Sequence, residues 1–175
     1  SKLTSIDLSK FSFVNLDDLS YFFNECSSLE TIILPQDEIA DNINTFDAMF
    51  YGCEKLTSIN LDNIDFKNAE SLYLMFTYCR KMTYIDVSKF KTNKVKDMSS
   101  MFENCNSLLS IDTSNFETNN VENMKSMFEE CNLLKYINSE NFNTEKVTDM
   151  SYMFYGCRSL SSISVGSFNT ENVLD

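Results

Sequence analysis

The amino-acid sequence predicts a single α/β repeat solenoid built from units of about 26 residues. Three observations predict it. Six cysteines, Cys26, Cys53, Cys79, Cys105, Cys131 and Cys157, recur at spacings of 27, 26, 26, 26 and 26. The stretches MSSMFENCNSLLSIDTSNF, MKSMFEECNLLKYINSENF and MSYMFYGCRSLSSISVGSF, beginning at Met98, Met124 and Met150, are near copies of one another. Each unit also divides into two halves with different apolar periods.

Counted from its cysteine, a unit opens on a leucine column of Leu3, Leu29, Leu56, Met82, Leu108, Leu134 and Leu160. An isoleucine column of Ile6, Ile32, Ile59, Ile85, Ile111, Ile137 and Ile163 follows three residues later. Residues 56–61 (LTSINL) and 84–87 (YIDV) alternate apolar with polar, the pattern of a half-buried strand. Next comes an aromatic column, Phe11, Phe90, Phe116, Phe142 and Phe168, with Ile64 and Ile39 standing in. Residues 121–128 (VENMKSMF) place Val121, Met124 and Phe128 on one stripe of a short helix. Thr92, Thr118, Thr144 and Thr170 stand just ahead of such helices, where a cap is expected. Near the unit's end lies a second phenylalanine column, Phe23, Phe50, Phe76, Phe102, Phe128 and Phe154. One unit alone cannot bury its apolar side. Stacked units do so, each strand pairing with the next in a parallel ladder at ~4.8 Å, with short helices on the opposite, convex face. About seven units fill residues 1–175, the first and last incomplete, and neither end carries a polar cap. The reading is therefore of a fragment of a longer array, or of ends that self-stack.

Composition narrows the function. The net charge is −12 and the pI about 4.4, so the chain repels nucleic-acid phosphates and anionic membrane surfaces. No apolar run approaches the roughly 18 residues of a membrane span. Histidine is absent, which removes the commonest general base and zinc ligand. Three glycines make no phosphate-binding loop. No nucleophile–base pair stands out, so the chain is read as no enzyme and as holding no cofactor.

The cysteines fall at one point of successive coils, too far apart for the ~3.5–4.5 Å Cβ separation of a disulfide, and are expected as buried free thiols. Zinc lacks both a C-x-x-C pair and a histidine. All nine methionines fall in core columns.

The strings NNVENMKSMFEECNLLKYI and EKVTDMSYMFYGCRSLSSI carry the pattern V-x-x-M-x-x-M-F-x-x-C-x-x-L-x-x-I. They resemble the BspA-like leucine-rich repeat family, the Treponema-type subclass, most strongly over residues 81–173. The unit from Cys26 to Gly52 departs from it, with Pro35, one extra residue and an acidic QDEIADN. The resemblance implies a curved leucine-rich repeat solenoid on a cell surface or secreted, adhering to a host or matrix protein or glycan. It brings no catalytic residues. An intracellular scaffold for protein–protein interaction, in the cytoplasm, is the alternative.

The binding surface is expected on the open, concave strand face. Residues beside the buried isoleucines point outward there, and Tyr84, Asp86, Asp112, Tyr136 and Asn138 are the candidate ligand-binding residues. Asp86 and Asp112 are expected side by side, so a basic or cation-bridged ligand would relieve their repulsion. The irregular stretch 35–44 is a second candidate, because its extra residue must bulge from the coil.

Overall fold

Each coil closes on its neighbour through backbone hydrogen bonds 25 to 27 residues apart. The computed structural model describes residues 2–36 and 42–174. Four short strands form: β1 (Ser5–Asp7), β2 (Thr31–Ile33), β3 (Ser110–Ile111) and β4 (Tyr136–Ile137). β1 pairs in parallel with β2, Ile6 opposite Ile32, and β3 with β4, Ile111 opposite Ile137. The expected ladder is thus parallel and in the expected register, but it comes in two patches rather than one run. Residues 84–87 keep the alternation, Tyr84 and Asp86 exposed, Ile85 and Val87 buried. There the coils are joined by single bonds such as Leu109 N–H to Thr83 O, 3.4 Å.

The helical half is corrected. Among the described residues no helix forms, and residues 121–128 are a run of turns. Alternate N–H groups divide their work. Those of Met127, Glu129 and Cys131 bond three residues back, to Met124, Ser126 and Phe128. Those of Met124, Ser126, Phe128 and Glu130 cross to the carbonyls of Asp149, Ser151, Met153 and Tyr155 in the next coil. A helix would have consumed these donors internally, leaving none of them to hold the coils together on this side. Two residues per coil adopt left-handed backbone to aim them, as with Ser100 (φ 54°) and Asn104 (φ 59°), Ser126 (φ 54°) and Glu130 (φ 56°). Each costs a non-glycine residue ~1–2 kcal/mol. Four cross-coil bonds at ~0.5–1.5 kcal/mol each offset that cost. Gly52 and Gly156 fill the same position, and at Gly156 a Cβ would stand 2.6 Å from Glu130 Cδ of the previous coil.

The apolar columns meet inside the coils. Met82, Leu108, Leu134, Val121, Met124 and Phe128 are all fully buried, and eight of the nine methionines lie in the core with Met150 packed against it. The second phenylalanine column is one stack, Phe76 to Phe102 and Phe102 to Phe128 both 5.5 Å between centroids. The first aromatic column needs two amendments. Phe11 is 60 % exposed, and Phe13 turns inward instead, 5.2 Å from Phe22. Phe66 joins the column beside the buried Ile64, 4.0 Å from Phe90. Ile39 lies outside the described residues.

The cysteines are free. From Cys53 onward each thiol donates to the carbonyl of the stacked phenylalanine one coil earlier, as in Cys79 to Phe50 (3.3 Å), Cys105 to Phe76 (3.2 Å) and Cys131 to Phe102 (3.1 Å). The threonines are not helix caps. Thr118 Oγ1 donates to Asn143 O (2.9 Å) and accepts Asn143 N–H (2.7 Å), and Thr144 does the same with Asn169. Thr92 does so with Glu117. Each buried hydroxyl therefore saturates two backbone groups of the following coil.

Candidate functional site

The strand face is assembled from two outward columns. The first is Tyr84, Ser110 and Tyr136, all exposed, with Tyr84 at 58 % and Tyr136 at 55 %. Ser110 pairs directly with Tyr136, and the bond from Leu109 to Thr83 sets Tyr84 one coil before Ser110. Two tyrosines thus flank one serine. Leu109, which precedes Ser110, is exposed as well.

The second column is Asp86, Asp112 and Asn138, the first two exposed and Asn138 half-buried. Each sits two residues beyond its partner in the first column, on the same side of the extended chain. Each also closes a turn. Asp86 Oδ1 accepts Ser88 N–H at 2.9 Å, Asp112 Oδ1 accepts Ser114 N–H at 3.0 Å, and Asn138 Oδ1 accepts Glu140 N–H at 3.2 Å. Asp7 and Asn60 do likewise with Ser9 and Asp62. Sequence reasoning placed these side chains on the surface but missed this duty. The signal was present in the repeated Asx-x-Ser spacing of DLS, DVS and DTS. The turn fixes each side chain through one oxygen only. The Ser88 hydroxyl and N–H, with Lys89 nearby, hold the Asp86 carboxyl below its ordinary value.

Two concavities lie beyond the two outward columns, the second bordering the Asp86 turn through Ser88. One, of about 500 Å³, is lined by Glu25, Tyr51, Gly52, Glu54, Tyr78 and Arg80. In it the Arg80 guanidinium lies 5.1 Å over the Tyr78 ring and 3.8 Å from Glu54 Oε1, and Tyr51 meets Tyr78 edge-on at 5.5 Å. The other, of about 530 Å³, lies between Gln36, Asp62, Asp65, Ser88 and Lys91, beside the irregular coil. Asn63 Nδ2 donates to Pro35 O there at 3.1 Å. The centre of that coil, residues 37–41, with its expected bulge, lies outside the described residues. Among the described residues, no group of three histidine, cysteine, aspartate or glutamate side chains is placed to hold a metal ion, and no helix is long and apolar enough to cross a membrane.

The sequence family described as "Mycoplasma protein of unknown function, DUF285" matches residues 1–108 and again residues 70–175. The chain is similar to the crystal structure of a T. pallidum leucine-rich repeat protein, at 21 % identity and a TM-score of 0.50, covering 90 % of this chain and 72 % of that one. It is also similar to a leucine-rich repeat protein from Bacteroides ovatus, at 26 % identity and a TM-score of 0.44, covering 91 % of this chain and 48 % of that one. It thus spans about half of the Bacteroides protein. No curated protein matches the sequence. The T. pallidum likeness shows the fold, a leucine-rich repeat solenoid, and bears out what the BspA-like resemblance implied at that level.

Proposed function

This chain belongs to the DUF285 family of Mycoplasma proteins of unknown function, and from that premise we propose that it is a non-catalytic binding module that takes a protein or glycan ligand on its strand face. The observation that carries this reading is the pair of exposed tyrosines, Tyr84 and Tyr136, beside Asp86, Asp112 and Asn138, each held by its own turn. Large aromatic area and polar groups of fixed direction favour binding, because little side-chain freedom is lost on contact. Display at a cell surface for adhesion is the reading of location that the family resemblance favours, and scaffolding in the cytoplasm is its alternative.

A binding screen of the chain against matrix proteins and glycans tests the reading, followed by two paired variants. Asp86→Asn with Asp112→Asn keeps the Oδ1 acceptors of both turns, so the melting temperature is expected to hold while binding weakens. Glu129→Gln with Glu130→Gln, on the turn side, is expected to leave binding unchanged. Loss of binding in the second pair and not the first overturns the assignment.

A further inference from the structure

We propose that the strand face recognises arginine side chains of a partner protein, the guanidinium stacking on Tyr84 and pairing with Asp86 and Asp112. The inference rests on the strand face being the binding surface and names the chemistry that the surface selects. Tyr84 and Tyr136 are two coils apart, roughly 10 Å at ordinary strand spacing, and Ser110 between them is too small to fill the gap. A flat group resting at van der Waals distance, ~3.5–4 Å, from a ring fits that slot. Three kinds of flat group compete: an aromatic ring, a sugar ring and a guanidinium.

The carboxylates decide among them. Asp86 and Asp112 stand two residues beyond Tyr84 and Ser110, and the turn engages only Oδ1 of each. An aromatic ring has no use for two fixed negative charges, and a neutral sugar ring can donate hydroxyls to them but leaves their mutual repulsion in place. A lysine ammonium pairs with them but does not stack as a plane. Arginine does both. The exposed Leu109, one coil from Thr83, offers contact for its methylene stem. The molecule already makes this contact once, where Arg80 covers Tyr78 and reaches Glu54. Of the cations beside the strand face, Lys89 is paired with Asp62 at 2.9 Å, and Lys135 adjoins Tyr136. Lys135 repels an arginine at its own end, and Lys89 near Asp86 is compensated by its pairing with Asp62, which leaves Tyr84 as the favoured platform.

The test titrates the full chain, followed by NMR, with an octapeptide of glycine and serine carrying two arginines, and with its two-lysine and two-citrulline counterparts. Arginine is expected to bind roughly two- to fivefold tighter than lysine, the worth of an exposed cation–π contact. Citrulline, planar but uncharged, is expected to lose binding. Tyr84→Ala is expected to abolish the preference for arginine over lysine, and Tyr84→Phe to keep it. Equal binding of arginine and lysine, an arginine preference that survives Tyr84→Ala, or no binding of the arginine peptide overturns the inference. If both cationic peptides bind equally and Asp86→Asn with Asp112→Asn weakens both, the strand-face reading stands without it. If the arginine peptide is lost only in Glu129→Gln with Glu130→Gln, the strand-face reading falls as well.

Discussion

The Cys105 thiol donates a hydrogen bond to the carbonyl of Phe76, 3.2 Å away in the preceding coil. That carbonyl already accepts Cys79 N–H at 3.0 Å, so the thiol adds a bond without being needed to satisfy the backbone. A serine hydroxyl has the same acceptor in reach. Cys105→Ser is therefore expected to cost only about 1 kcal/mol, less than burying a hydroxyl with no partner. Dithiothreitol is expected to leave the melting temperature unchanged. Denaturant melts with and without reductant check both.

Burial pushes the Cys53 thiol up to about 12 and Cys157 up to about 11. An unfolded-chain thiol ionises near 8.5. The folded pKa is the higher one, so this contribution to stability is full below about pH 8.5 and is lost as pH rises toward 12. The melting temperature is expected to fall between pH 8.5 and 10.5, and to fall less in Cys53→Ala than in the unsubstituted chain.

Phe102 is stacked between Phe76 and Phe128 at 5.5 Å on each side and is fully buried. Phe102→Ala opens a cavity shared by three coils and is expected to cost ~3–5 kcal/mol in a urea melt.

Ser126 has φ 54°. Ser126→Gly is expected to stabilise the chain by ~0.5–1 kcal/mol, because glycine bears no penalty in left-handed backbone. A helix over the same residues would give the opposite sign. The direction of the melting shift therefore checks the turn ladder itself.

Thr118→Val removes both bonds to Asn143 and leaves the N–H and carbonyl of that half-buried residue without them. The expected cost is ~2–3 kcal/mol. Thr170→Val, at an exposed position, is expected to be close to neutral.

The unit length, the inward columns and the parallel register were legible in the sequence because burial imposes them on every coil. The helix was misread for a physical reason. Val121, Met124 and Phe128 recur at three and four residues whether the chain winds as a helix or steps through successive turns, since both bring a side chain back to one side at that interval. What separates the two is the destination of the N–H groups, and no side-chain pattern records it. The glycines at positions 52 and 156 were the one sign of left-handed backbone, diluted by Tyr78, Asn104 and Glu130 in the same column. Tyr84 and Tyr136 were legible as surface residues through alternation. The turns at Asp86 and Asp112 were written in the sequence and passed over in favour of their charge.

The turn ladder has a direction. From Met124 to Glu130 every cross-coil N–H points onward to the next coil, as it does from Met98 to Asn104 and from Leu72 to Tyr78. In ordinary sheets neighbouring peptide dipoles cancel. Along these stretches they add, as they do along a helix axis. This side of the stack therefore carries an electrical sense, opposed in part by the bonds that run back to the preceding coil elsewhere, such as Leu109 N–H to Thr83 O and Glu122 N–H to Lys96 O. Any further coil can join only head to tail, because a reversed coil would set donor against donor.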